Sequence, residues 1–315
     1  MESIVFLDRA TLTVPLRKPE FLHEWRDFSL TEPGDVHARL EKATIAVTNK
    51  VKIGRDALRE LKTLHMIAVA ATGFDCVDIA ACREAGVTVC NVPGYSRGSV
   101  PEHVLALLLA LRRQLPALTQ AVATGGWQTA PHFSILEPGV EDVAGSTLGI
   151  IGHGDLGKRV ETLAKAFGMK VLIAERKGAG SGRSGRTAFD EVLAESDVVT
   201  LHVPLTPDTR GLIGERELGL MKKSAILINT ARGGVVDEAA LADALKRKVI
   251  AGAGVDVLSQ EPPRAGNPLL DLHLPNLIVT PHVGWASRQA QTILAEEVVR
   301  NMEAFVAGKP RNVVS

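Results

Sequence analysis

Leu148-Gly149-Ile150-Ile151-Gly152-His153-Gly154-Asp155-Leu156-Gly157 is the stretch on which the reading of this chain turns. Its first four residues read as a buried strand, and after the third glycine Val160, Leu163, Ala164 and Phe167 recur at helical spacing. A strand that passes through G-x-G-x-x-G into a helix is the context of a dinucleotide fingerprint. The first glycine permits a tight turn, the second lets the backbone approach a pyrophosphate, and the third lets helix and strand pack closely at a positively polarised helix N-terminus. The next strand, residues 170–174, delivers Glu175 about twenty residues further on, where a carboxylate accepts hydrogen bonds from the adenosine ribose. That carboxylate repels a 2′-phosphate and favours NAD, while Arg176 and Lys177 leave NADP open. His153 occupies a variable position of the turn and is expected to be a partly exposed histidine offering only its backbone.

Outward from this stretch the chain keeps one rhythm. Toward the N-terminus, apolar runs at 4–7, 44–48, 66–70 and 87–90 alternate with helical segments at 56–64 and 75–85. Turn formers cluster at Pro93-Gly94-Tyr95-Ser96-Arg97-Gly98, and an apolar helix over 99–115 follows. Toward the C-terminus, strands are expected at 147–151, 170–174, 197–201, 225–229, 253–257 and 276–280, enough for a doubly wound sheet. Parallel pairs need crossover connections, so both series predict parallel sheets covered by helices. Residues 287–307 carry Ile293, Leu294, Val298, Val299, Met302, Phe305 and Val306 at helical spacing, with no strand left to cover, and are expected to return to the first domain. The glycine-rich basic stretch 177–186 reads as a mobile surface loop.

Composition narrows the function. The 315 residues suggest two domains at roughly 100–200 residues each. Thirty-six basic and 36 acidic residues cancel, so no global field attracts nucleic acid or anionic lipid. Cys76, Cys82 and Cys90 are odd in number and lack C-x-x-C spacing, which argues against a disulfide framework and a zinc site. The run 104–111 is too short to cross a bilayer of about 30 Å, and Met1-Glu2-Ser3 lacks a basic leader, so a cytoplasmic location is expected.

Ligands of an open α/β sheet lie beyond the carboxyl ends of its strands, and those ends are rich in chemistry. They present His202-Val203-Pro204, Thr230-Ala231-Arg232, Asp256, Glu261 and His282-Val283-Gly284. A guanidinium such as Arg232 grips a carboxylate through two parallel hydrogen bonds. Hydride reduction of a carbonyl leaves an alkoxide that must take a proton, and histidine, with an ordinary pKa of about 6.5, supplies one near neutrality. His282 is the candidate acid and Glu261 the carboxylate that orients it. Singly, each is more often a loop arginine, a solvated glutamate or a strand-end histidine. Jointly, behind the fingerprint, they predict hydride transfer to a 2-oxo acid. Asp256 is expected either to bond the nicotinamide carboxamide or to cap its own loop.

These residues carry a resemblance over essentially the whole chain. Ala71-Thr72-Gly73-Phe74-Asp75, Asn91-Val92-Pro93-Gly94-Tyr95-Ser96, the glycine turn, His202-Val203-Pro204-Leu205-Thr206, Asn229-Thr230-Ala231-Arg232-Gly233, Gly254-Val255-Asp256-Val257 and Pro281-His282 together resemble the D-isomer-specific 2-hydroxyacid dehydrogenases. Ala174-Glu175-Arg176 and His282-Val283-Gly284-Trp285-Ala286-Ser287 look most like the glycerate dehydrogenase, or hydroxypyruvate reductase, branch. Pro101 departs from the small residue expected before Glu102. The resemblance implies Rossmann-like and flavodoxin-like parallel-sheet domains. A coenzyme domain, 99–285, is inserted into a discontinuous substrate domain, 1–98 with 286–315, and the two close over the substrate. It implies catalytic Arg232, Glu261 and His282, and substrate contacts at Thr72, Gly73 and Arg232. Its coenzyme contacts are Gly152, Gly154, Asp155, Leu156, Gly157, Glu175, His202, Val203, Pro204, Thr209, Thr230, Ala231, Arg232, Asp256, His282 and Gly284.

The expected activity is NAD(P)H-dependent reduction of a small 2-oxo acid such as hydroxypyruvate or glyoxylate to the D-2-hydroxy acid, by a homodimer without metal, nucleic acid or membrane. Two alternatives are an NAD(H)-sensing binding protein of the same fold and an enzyme acting on 3-phosphoglycerate. The latter calls for further cations, for which Arg9, Lys50 and Arg97 are available.

Overall fold

The computed structural model describes residues 1–179 and 182–315 and divides into two compact units, Met1–Ser96 with Ala286–Ser315, and Arg97–Trp285. The first unit runs β1 (Glu2–Phe6), β2 (His23–Asp27), α1 (Val36–Leu40), β3 (Ile45–Thr48), α2 (Arg55–Glu60), β4 (Met66–Val69), α3 (Ile79–Ala85) and β5 (Thr88–Cys90). Its sheet is parallel throughout, in the order β2-β1-β3-β4-β5, the flavodoxin-like winding. Alternate side chains sort to opposite faces. Val5, Ala46, Ile67 and Val69 pack with Val36, Leu40, Leu58 and Cys82 of α1 to α3 on one face.

The four apolar runs are strands, but the sequence reading missed β2. His-Glu-Trp-Arg-Asp shows no apolar alternation because this edge strand is mostly exposed, and only its backbone pairing to β1 makes it a strand. The helices at 56–64 and 75–85 are shorter than expected; the second begins only after Asp78, whose side chain accepts the Ala81 N–H as an N-cap.

The second unit runs α4 (Ser99–Arg112), α5 (Leu115–Ala123), β6 (Thr147–Ile151), α6 (Asp155–Ala166), β7 (Lys170–Ile173), α7 (Phe189–Glu195), β8 (Val198–Leu201), α8 (Glu215–Leu220), β9 (Ile226–Asn229), α9 (Glu238–Lys246), β10 (Gly252–Val255) and β11 (Leu277–Val279). All six expected strands are present, paired in parallel in the order β11-β10-β9-β8-β6-β7. A seventh was missed: Thr187 bridges Ala174 on the open side of β7, accepting the Glu175 N–H at 2.8 Å. Counted as the third strand of the unit, this bridge gives the 3-2-1-4-5-6 winding of dinucleotide-binding sheets, with β11 added at the far edge. Leu148, Ile150, Val198, Ile226 and Ile228 face α4 and α6, whereas Ile151, Val199, Leu201 and Leu227 face α7, α8 and α9.

Helix α4 shows why the sequence tolerates Pro101. The proline is the third helical residue, in a turn whose N–H groups have no helical partner, so its missing donor costs nothing. The helix stops at Arg112, short of the expected 115, where Gln114 takes a positive φ of 52° and Pro116 opens α5. Leu107, Leu108 and Leu111 are buried along it, each contributing about 1.5–3 kcal/mol. Phe167, read as part of the apolar stripe of α6, instead stands at the helix end and is 43% exposed.

Residues 287–307 form α10 (Arg288–Val306) of the first unit, capped by Ser287, whose side chain accepts the Ala290 N–H. Leu294, Val298, Val299 and Met302 are buried, but Ile293 and Val306 lie on the outer face. Of the glycine-rich stretch 177–186, Gly180 and Ser181 lie outside the described residues.

Candidate active site

The second unit's sheet reverses its winding between β6 and β8, and the glycine turn stands at that reversal. Gly152 has φ +94°, and a Cβ there would sit 2.5 Å from the His202 carbonyl oxygen, so the turns after β6 and β8 touch only because no side chain intervenes. The His202 N–H donates to Ile151 O at 2.7 Å and locks the two together. Gly157 is held 2.3 Å, at its virtual Cβ, from the Gly152 carbonyl, which brings α6 onto the turn. Gly154, by contrast, faces open space. Two glycines therefore serve packing within the protein, and the middle one leaves the backbone approachable.

Asp155 opens α6 and accepts from Arg97 Nε at 2.6 Å; Leu156 beside it is half-buried. His153, expected to be bland, is only 14% exposed and its Nε2 meets Glu161 Oε2 at 2.6 Å. Lys165 and then His153 hold the Glu161 carboxyl below the usual range.

Glu175 is buried, and both its oxygens are engaged. Its carboxylate accepts from the backbone N–H groups of Arg176 and Arg183 and from Nε and Nη2 of Arg183, the latter at 2.6 Å. Lys177 is directed elsewhere, pairing with Glu217 at 3.0 Å.

Beyond β8, burial pulls His202 down to about 4, so its ring is neutral at physiological pH, with Nε2 3.1 Å from Thr200 Oγ1. Val203 packs against the core and Pro204 is exposed. Thr209 closes the turn between them, donating to Pro204 O at 2.6 Å. Beyond β9, Asn229 binds its own loop: Oδ1 accepts from Ala231 N, and Nδ2 donates to Arg232 O. Thr230 Oγ1 is buried without a hydrogen-bond partner among the described residues. Arg232 is half-buried and donates to Ala231 O. A Cβ on Gly233 would lie 1.9 Å from Leu258 O, so the Arg232 loop and the loop after β10 are pressed together.

That second loop carries Glu261. Its Oε1 accepts the Leu258 N–H at 2.9 Å, and its Oε2 lies 2.6 Å from His282 Nδ1. With a carboxylate at Nδ1, that nitrogen bears the proton and Nε2 is the ring atom left to face a reactant. His282 has φ +54°, and its N–H donates to Asp256 O at 2.8 Å. The buried Asp256 organises the whole segment: Oδ1 accepts from Thr280 Oγ1 and Val283 N, and Oδ2 from Gly284 N. His103 Nε2 lies 3.4 Å from Oδ1. Burial alone would raise the Asp256 carboxyl, but His103, Thr280 and these N–H groups outweigh it and hold it below the usual range. Of the two uses expected for Asp256, the geometry provides the loop cap.

Thr72 and Gly73 follow β4 in the first unit, where Thr72 Oγ1 donates to Val92 O and Asn91 Nδ2 to Thr72 O. The sequence reading missed Arg183, His103 and Glu161 and took Arg97 only as a spare cation; each acts through a partner 8 to 177 residues away.

The residues present fit a dinucleotide: an open backbone at Gly154, a carboxylate at Glu175 just beyond β7 and an orphaned hydroxyl at Thr230. A parallel sheet wound in this order, with that turn at its switch point, defines a dinucleotide-binding unit, and the Arg232, Glu261 and His282 side chains at its strand ends are those of an oxidoreductase. Residues 105–284 match the family model described as D-isomer specific 2-hydroxyacid dehydrogenase, NAD binding domain, and the chain belongs to this family. It is 51% identical to the glycerate dehydrogenase of Methylorubrum extorquens over 99% of each chain. It is 36% identical to the hydroxypyruvate reductase of Blautia hydrogenotrophica, over 91% of this chain and 89% of the relative. Among solved structures, D-lactate dehydrogenase of Aquifex aeolicus, complexed with NAD and lactic acid, superposes with a TM-score of 0.81 at 29% identity, covering 97% of this chain and 96% of the other. Among the described residues no helix is long and apolar enough to cross a membrane.

Proposed function

We propose that this chain reduces a small 2-oxo acid, hydroxypyruvate or glyoxylate, to the D-2-hydroxy acid, using NADH bound along the carboxyl edge of the second unit's sheet. The observation that carries the reading is the His282–Glu261 pair at 2.6 Å on that edge. The nicotinamide supplies the hydride. Arg232 grips the substrate carboxylate, and the first unit's own proposed substrate contacts are the backbone groups of Thr72 and Gly73. His282 Nε2 gives its proton to the carbonyl oxygen as negative charge develops there, and Glu261 holds the ring and balances the imidazolium before that transfer. His202 does not compete for this role, because burial keeps it neutral. Gly152, Gly154, Asp155, Leu156 and Gly157 receive the pyrophosphate, Glu175 the adenosine ribose, and the segments at 202–204, 209, 230–232, 256 and 282–284 flank the nicotinamide half.

A phosphorylated substrate is disfavoured. Arg9 spends its guanidinium on the Leu12 and Val14 carbonyls, and Arg97 is paired with Asp155. The names of the relatives, a glycerate dehydrogenase and a hydroxypyruvate reductase, support the smaller substrate. We assign a homodimer, supported by the exposed apolar side chains of Val122, Trp127 and Phe133, which line one cavity, with Leu115 and Leu136 also exposed, since exposed apolar surface of this kind marks association. Three free thiols support a cytoplasmic setting.

The test is oxidation of NADH and NADPH with hydroxypyruvate, glyoxylate, pyruvate, phenylpyruvate and 3-phosphohydroxypyruvate. Rapid turnover of hydroxypyruvate or glyoxylate is expected. Tight NADH binding without turnover of any 2-oxo acid would overturn the reading in favour of a coenzyme sensor. Arg232→Ala is expected to abolish turnover while leaving NADH binding largely intact, because the bonds it makes to the substrate carboxylate are the charged ones; equal loss of both would overturn its carboxylate-gripping role.

A further inference from the structure

Glu175 stands where a carboxylate selects NAD, yet it is not an available acceptor. A carboxylate offers about four lone-pair sites, and those of Glu175 are taken by Arg176 N, Arg183 N and the Nε and Nη2 of Arg183. The guanidinium lies against both oxygens, and its side chain is 59% exposed whereas that of Glu175 is 7% exposed. The anion is thus fixed in the sheet, pinned by Thr187 on the neighbouring bridge, and the cation is the member able to swing into solvent. The pair has no net charge, so the repulsion that a bare Glu175 would exert on a 2′-phosphate is cancelled. The other two cations of this stretch are less well placed. Lys177 is bound to Glu217 on α8, and Arg176 meets Glu175 through its backbone N–H.

We propose that Arg183 is a coenzyme-selecting residue that gives this enzyme access to NADPH as well as NADH. With NADPH, the guanidinium exchanges the Glu175 carboxylate for the 2′-phosphate, a bidentate acceptor of about −1.5 to −2 charge. With NADH, Arg183 swings out and the ribose hydroxyls donate to the carboxylate it uncovers. The inference rests on the coenzyme reading above and adds to it the residue that decides between the two coenzymes. The chain carries the neutralising partner of its own NAD-selecting acid, eight positions further on.

The test is equilibrium titration of the full chain with NADH and with NADPH, read by fluorescence of the reduced nicotinamide, for wild type, Arg183→Ala, Arg183→Lys, Arg176→Ala and Glu175→Gln. Wild type is expected to bind both. Arg183→Ala should weaken NADPH by about tenfold to a hundredfold, the worth of charged hydrogen bonds, and leave NADH unchanged or tighter. Arg183→Lys should recover part of the NADPH affinity, and Glu175→Gln should favour NADPH at the expense of NADH. Equal effects of Arg183→Ala on both coenzymes, no effect on either, or loss of NADPH from Arg176→Ala instead would overturn the proposal. Failure of wild type to bind NADPH would also overturn it while leaving the NADH reading intact. Failure to bind either coenzyme would overturn the coenzyme reading itself. Thermal melts of each variant establish that the comparison is made between folded proteins.

Discussion

His282 Nδ1 and Glu261 Oε2 meet at 2.6 Å across 21 residues of chain, the carboxylate on the loop after β10 and the imidazole beyond β11. Glu261 is itself steadied by the Leu258 N–H, so the acid is oriented by a group that has little freedom of its own. Removal of the acid by His282→Ala is expected to lower kcat by about 10²–10⁴-fold. Glu261→Gln, which keeps the shape and discards the charge, should cause a smaller loss. NADH titration should show that both variants lose far less coenzyme affinity than turnover; a loss of NADH affinity that accounts for the fall in kcat would count against an acid–orienter pair.

Asp256 holds the histidine segment from behind. Its two oxygens accept from Thr280, Val283 and Gly284, and an amide in its place keeps only one accepting oxygen. Asp256→Asn is expected to destabilise the protein by about 1–3 kcal/mol, the cost of leaving a buried group unpaired. Urea unfolding measures this, and kcat should fall further than stability alone explains, because the Val283 and Gly284 N–H groups that follow His282 hang from the Asp256 carboxylate.

The glycine turn has no room for a methyl group at either end. Gly157→Ala would set a Cβ 2.3 Å from the Gly152 carbonyl, and Gly152→Ala would combine a clash with His202 and a φ of +94°. Strain of this kind costs about 1–3 kcal/mol per residue. Both variants should melt earlier than wild type and bind NADH weakly, whereas Gly154→Ala, in open space, should melt like wild type and lose coenzyme affinity alone.

Glu217 supplies an acid-sensitive element of stability. Burial alone would raise its carboxyl, but Arg216, Lys177 and the Gly214 N–H outweigh burial and bring it down to about 2. Because the folded value lies below the unfolded one of about 4.3, the unfolded chain binds more protons between them, and the contribution is lost as pH falls through that window. The stability difference between wild type and Glu217→Gln, measured by denaturant unfolding, should therefore be full above pH 5 and shrink steadily toward pH 2. A difference that does not change with pH would remove Glu217 from this role.

The sequence by itself determined the parallel α/β architecture, six of the six principal strands of the second unit, the glycine turn and the chemically rich strand ends. These are legible because they are local: apolar period, turn residues and the order of strand, turn and helix are all written within a few residues of one another. What only the tertiary structure decided are the features made by distant partners. Edge strand β2 has no apolar signature and exists through its pairing with β1. The bridge at Thr187 is one residue long and exists through Ala174. For Asp256 the residue type left two uses open, and only the fold shows that its side chain caps the His282 segment, while Glu175, read as an open acceptor, is covered by Arg183. A side chain's residue type sets which bonds it can make. Which of them it makes depends on the donors that folding brings within about 3 Å, and no linear spacing encodes that.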